Sequence, residues 1–83
     1  MTRVAAELAV GESAHVVQVV GGDDVCRRLM EMGVTPGVEL RCLGAAPLGD
    51  PLEFELRGYR LSLRRSEAKH IELEARFRSE IMN

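Results

Sequence analysis

Leu52-Glu53-Phe54-Glu55-Leu56-Arg57-Gly58-Tyr59-Arg60-Leu61-Ser62-Leu63-Arg64 alternates apolar and polar residues on either side of a central break. Leu52, Phe54 and Leu56 fall on one face of a strand and Glu53, Glu55 and Arg57 on the other, the period-two pattern of a half-buried antiparallel strand. Gly58-Tyr59 makes a tight reversal, after which Leu61 and Leu63 face inward while Arg60, Ser62 and Arg64 face outward. The outer face of this hairpin carries opposite charges placed for cross-strand pairing.

Toward the N-terminus, the loop Pro47-Leu48-Gly49-Asp50-Pro51 separates this hairpin from another alternating segment, Val38 to Leu43. There Val38, Leu40 and Cys42 share one face, opposite Glu39 and Arg41. Pro36-Gly37 suits a type II turn, with Pro fixing φ at the second position and Gly supplying positive φ at the third. Gly33 stops a helix as its left-handed C′ residue. Within that helix Val25, Leu29 and Met32 recur at i, i+4 and i+7, with Cys26 and Met30 flanking, and Asp23 or Asp24 caps its start. Gly21-Gly22 ends a first strand, Ala14 to Val20, whose β-branched content predicts burial of most of its side chains. Ala5 to Ala9 reads as a helical turn.

Toward the C-terminus, Ser66 is placed to cap a single turn through Ala68. Ile71 and Leu73 form a closing strand with Glu72 and Glu74 outside, and Ala75 to Asn83 reads as a frayed helix with Phe77 and Ile81 on one side. The sum is a mainly β chain: a small five-stranded SH3-like barrel with one short α-helix after the first strand. It is one domain over residues 1–83, its core spanning about 8–75 and its tail 76–83.

Composition narrows the function classes. The chain has 83 residues, with 46% hydrophobic and 29% charged, ordinary values for a folded module. Net charge is −2, so no global field draws it to nucleic acid or anionic lipid. A local basic group, Arg57, Arg60, Arg64 and Arg65, together with Tyr59, is what a nucleic-acid-binding small barrel would use. The only aromatics are Phe54, Tyr59 and Phe77, too few for a stacking platform or for a groove that grips polyproline. No segment reaches the roughly 20 apolar residues that span a bilayer, and the start of the chain is too short and polar for a signal peptide. A cytoplasmic location follows as the expectation. Cys26 and Cys42 make no disulfide framework and are expected as buried thiols. Gly21-Gly22-Asp23-Asp24 lacks the lysine of a phosphate loop, and no nucleophile adjoins either histidine, so catalysis is not expected.

Arg28-Leu29 before Met32-Gly33, then Pro36-Gly37, Pro47-Leu48-Gly49-Asp50-Pro51, Gly58, and Leu63-Arg64 before Ala68 and Ile71 form an ordered series. From Leu8 to Leu73 this series resembles the FeoA family, small cytosolic SH3-like proteins encoded beside FeoB, the ferrous-iron permease with a cytosolic GTPase domain. The resemblance implies a non-enzymatic accessory protein with FeoB as partner, recruited to the inner membrane by that partner and not inserted in it, with no nucleic acid and no required cofactor. The same domain type ends metal-dependent repressors related to the diphtheria toxin repressor, but their preceding helix-turn-helix is missing from this sequence.

The contact candidates are the loop Pro47, Leu48, Gly49 and Asp50, where two prolines stiffen the scaffold beneath an exposed leucine, and the polar helix residues Arg27, Arg28 and Glu31. Turn-making, with Leu48 folded back onto the core, accounts equally for the loop, and solvation accounts for the helix face. By the resemblance, Arg27 or Arg28 is placed to act on a partner's GTPase site as an arginine finger does. His15, His70, Glu72 and Glu74 are the candidates for a weak surface Zn2+ or Fe2+ site of mixed ligands, brought together if the first and last strands pair. That site is the basis of the alternative reading as a metal sensor or chaperone. Leu29, Met32, Gly33, Pro36, Gly37, Pro51, Gly58, Leu63, Ala68 and Ile71 are read as structural.

Overall fold

The computed structural model describes residues 3–74; the expected tail helix from Ala75 to Asn83 lies outside the described residues. The hairpin that anchors the sequence reading is present as β4 (Leu52–Leu56) and β5 (Tyr59–Leu63), antiparallel with Leu52 opposite Leu63 and Leu56 opposite Tyr59. Its reversal is Arg57-Gly58, not Gly58-Tyr59. Both central residues take positive φ, 50° at Arg57 and 85° at Gly58, the type I′ geometry whose twist matches that of the flanking strands. Tyr59 is already in the ladder opposite Leu56, so it cannot also turn the chain.

The other strands are β1 (Arg3–Val4), β2 (Ser13–Val19), β3 (Glu39–Ala45) and β6 (Ile71–Leu73), and the antiparallel sheet runs β1-β6-β2-β3-β4-β5. One strand more than expected is present, the two-residue β1, which pairs Arg3 with Leu73 and Val4 with Glu72. Ala5 follows it into the core with no exposure, so residues before Leu8 contribute to the fold. The expected turn after it is a 3-10 turn, Ala5–Glu7. β2 alternates instead of burying most of its residues: Ala14 and Val16 are inside, His15 and Val17 outside, because only one face of this strand meets the core. Leu40, Phe54, Leu56, Leu63, Ile71 and Leu73, with Leu29 from the helix and Val34 after it, are the large fully buried side chains. Burial of each contributes roughly 1.5–3 kcal/mol relative to exposure.

Helix α1 (Asp23–Glu31) presents Leu29 fully buried, with Val25 and Met32 packed against the core. Met30, expected to flank this face, is half-exposed, and Cys26 is half-buried where burial was expected; its thiol lies 3.6 Å from the Val19 carbonyl. Cys42 is buried. The N-cap is Gly22 and makes no side-chain cap bond; Asp23 and Asp24 sit in the first turn, where their charge still favours the positive helix end. At the other end the Val34 N–H donates to the Leu29 carbonyl and the Gly33 N–H to the Met30 carbonyl, both at 3.0 Å. With Gly33 at φ +97° this is a complete Schellman stop. The Tyr59 hydroxyl donates to the Met32 carbonyl at 2.6 Å, locking the helix end to the β4–β5 hairpin. Thr35 to Val38 closes the expected Pro36-Gly37 turn, with Gly37 at φ +94°.

Candidate functional site

Between β3 and β4 the Ala46 N–H donates to the Pro51 carbonyl at 2.9 Å and the Gly49 N–H to the Ala46 carbonyl at 2.7 Å. Pro47 and Leu48 therefore stand at the centre of a closed turn, completed by Gly49 at φ +91°. The Leu48 side chain does not fold back: it is 96% exposed. That contrasts with the ordinary behaviour of a leucine, since the apolar surface left in water here is as large as that buried at Leu29 or Leu40.

The loop is held from below. The Arg65 backbone N–H donates to Asp50 Oδ1 at 3.0 Å, and its Nε–H donates to the Gly49 carbonyl at 2.6 Å. Arg65 opens a single-turn helix, α2 (Arg65–Ala68), so the Asp50 carboxylate satisfies one of that helix's orphan donors from a different part of the chain. Ser66 is not the cap expected of it. It lies exposed inside the turn, and Arg64 is the N-cap residue. The local carboxylate partner is Glu67, whose Oε1 accepts the Arg64 N–H at 2.8 Å.

Glu67 is 8% exposed and turns its other oxygen, Oε2, toward Arg28 of α1 at 3.2 Å. The arginine end of this pair is 64% exposed, so water screens it and its contribution to stability is about 0.2–1 kcal/mol. Its consequence is geometric: the guanidinium of Arg28 is directed onto α2. A continuous series of contacts therefore runs from the Leu48 turn through Asp50 and Arg65 to α2, and through Glu67 to Arg28. Arg27 and Glu31 are exposed on α1. Sequence reasoning placed the two ends of this series as separate candidates, counted Arg65 only in the basic group, and missed Glu67. Glu67 had a signal, an acid three residues after the residue that precedes a helical turn; the link from Arg65 to the Leu48 turn had none.

The four metal candidates do not assemble. His15 Nδ1 lies 2.9 Å from Glu74 Oε2, so the pairing of β2 with β6 brings those two together as expected. Glu72 Oε1 instead accepts a hydrogen bond from Gln18 at 2.8 Å. His70 packs its ring against Gly21, where a Cβ would collide with it. It stands four residues from Glu74, about 13 Å along an extended strand. Among the described residues no group of three or more His, Cys, Asp or Glu is placed to hold a metal ion. The four arginines of the basic group also separate. Arg57 and Arg60 lie at the β4–β5 turn, where Arg60 is opposite Glu55, and Arg64 and Arg65 lie at the far end of β5.

The FeoA domain model matches residues 5–75. The chain belongs to the FeoA family. An FeoA-like protein from Clostridium acetobutylicum superposes with a TM-score of 0.83 at 39% identity, covering 92% of this chain and 88% of the other. An FeoA from Stenotrophomonas maltophilia, solved with zinc and described as a prokaryotic SH3 domain protein, gives 0.76 at 34% identity, covering 87% of this chain and 89% of the other. In Porphyromonas gingivalis a fusion of Fe(2+) transport protein A with the Fe(2+) transporter FeoB is 38% identical over 68 residues. Those residues are 82% of this chain but 8% of the fusion. The FeoA match spans the whole series of contacts from Leu48 to Arg28, and the SH3-like barrel expected from the sequence is the fold observed.

Proposed function

We propose that this FeoA chain is a non-enzymatic accessory protein of ferrous-iron uptake, acting by contact with a FeoB-type permease through the Leu48 turn and the adjoining polar face of α1. The observation that carries the reading is Leu48, 96% exposed at the tip of a turn closed by two backbone hydrogen bonds and held by Arg65. A large apolar side chain fixed in water on a stiff support is the form of an interface anchor, because little conformational freedom is lost when a partner covers it.

The fusion in P. gingivalis supports the choice of partner, since joining two modules in one polypeptide raises their effective concentration to the millimolar range. Among the described residues no helix is long and apolar enough to cross a membrane. The chain in this reading is cytoplasmic, works against the permease's cytosolic part and reaches the inner membrane through it. The test is co-purification of the chain with the detergent-solubilised permease of the same organism, alongside ferrous-iron uptake in cells lacking the chain. Retention of the wild-type chain, with slowed uptake in its absence, is expected; failure to co-purify together with unchanged uptake contradicts the reading.

A further inference from the structure

On α2 and its flanking residues the exposed side chains are not charge-balanced. Arg64, Arg65 and Lys69 are exposed on the turn and at its end, and Arg28 is directed onto it from α1. The carboxylates in contact with them are turned to internal work: Glu67 accepts the Arg64 N–H and pairs with Arg28, and Asp50 accepts the Arg65 N–H. On α2 and its flanks three cations, Arg64, Arg65 and Lys69, stand against two carboxylates, Glu67 and Asp50, a local charge of +1 on a chain whose total is −2. Asp24 and Glu31 stand one turn either side of Arg28 on α1 and bound the patch there, so its cationic centre is α2. Leu48 projects beside it, because Arg65 holds the Leu48 turn directly.

From this juxtaposition we infer that α2 and the Leu48 turn form one composite docking surface for an acidic protein segment carrying an apolar residue: the apolar group covers Leu48 and the carboxylates meet Arg64, Arg65, Lys69 and Arg28. The inference rests on the reading of the chain as a permease-binding protein and names the chemistry of the partner's contact segment. Charge complementarity selects the occupant. Arginine at a patch rim steers and orients an acidic partner, while the leucine supplies the desolvated centre. A membrane surface fits less well. One apolar side chain and a single helical turn offer little area to bury in a bilayer, and stable electrostatic attachment uses denser basic clusters than this one.

The experiment measures affinity of the full chain for the detergent-solubilised permease at low and high salt, for the wild type and for Arg64→Glu/Lys69→Glu. Neither side chain holds the loop, and an unchanged unfolding temperature verifies the variant's fold. Wild-type binding that weakens with salt, and a loss of about tenfold or more in the variant with a flattened salt dependence, is the expected result. Equal affinity of variant and wild type at both salts overturns the composite surface while leaving the permease reading intact. No wild-type binding at all overturns the composite surface, and together with unchanged ferrous-iron uptake in cells lacking the chain it overturns the permease reading as well. Binding to equimolar phosphatidylglycerol–phosphatidylethanolamine vesicles that the variant loses in parallel, with permease affinity unchanged, overturns it in favour of a lipid surface.

Discussion

Phe54 and Leu48 are large apolar residues in neighbouring segments of the chain, a strand and a turn, and they have opposite fates: Phe54 has no exposed surface and Leu48 keeps 96% of its own. The difference does not come from order, for both lie on backbone closed by hydrogen bonds. It comes from what the backbone is for. In β4 the strand alternation delivers Phe54 to the centre of the barrel, between Cys42 on β3 and Leu61 on β5. In the Pro47–Pro51 loop the same kind of backbone constraint holds a leucine outside the core cluster of the described residues. A domain of this size has little stability to spare, so Phe54 accounts for folding, and the exposed Leu48 is the residue proposed above for contact.

Substitutions separate the two. Phe54→Ala empties the centre of the core and is expected to cost about 3–5 kcal/mol, enough to unfold much of the population at 37 °C by circular dichroism. If the variant melts within a few degrees of the wild type, the core has been misplaced. Gly33→Ala puts a Cβ on a residue at φ +97° and into the Tyr59 hydroxyl. Backbone strain and the displaced hydrogen bond together are expected to cost about 2 kcal/mol or more, measured by urea unfolding. Tyr59→Phe removes only the bond to the Met32 carbonyl. Its cost is about 1 kcal/mol, at the low end because that carbonyl lies at a helix end open to water.

Smaller still is the effect of Glu67→Gln, which keeps an acceptor for the Arg64 N–H and deletes the charge facing Arg28. A loss of about 0.2–1 kcal/mol is expected, together with faster side-chain averaging at Arg28 in guanidinium NMR spectra. An Arg28 signal as ordered as in the wild type would show that Glu67 does not direct it.

The same contrast explains what could be read from the sequence. The β4–β5 hairpin was legible because its alternation is strict over both strands. The Gly33 stop was legible because a left-handed residue after an amphipathic run has few other uses. β1 was not, since two residues carry no period, and their pairing with β6 depends on a strand at the other end of the chain. The flanking prolines pointed to an exposed Leu48 but left its folding back onto the core equally open. Its support was hidden, because Asp50 and Arg65 meet 15 positions apart, and Arg28 and Glu67 meet only once both helices are docked. Short-range spacing reports helices, turns and strands, and the candidate surface is made of contacts between them.

The central claim, that the Leu48 turn serves contact and not folding, is tested most directly by measuring unfolding temperature and permease affinity on one preparation of Leu48→Asp. An exposed position predicts a stability change within about 0.5 kcal/mol, hence an unfolding temperature within a few degrees of the wild type, with permease binding lost. A marked fall in unfolding temperature, or full affinity retained by the folded variant, contradicts the account.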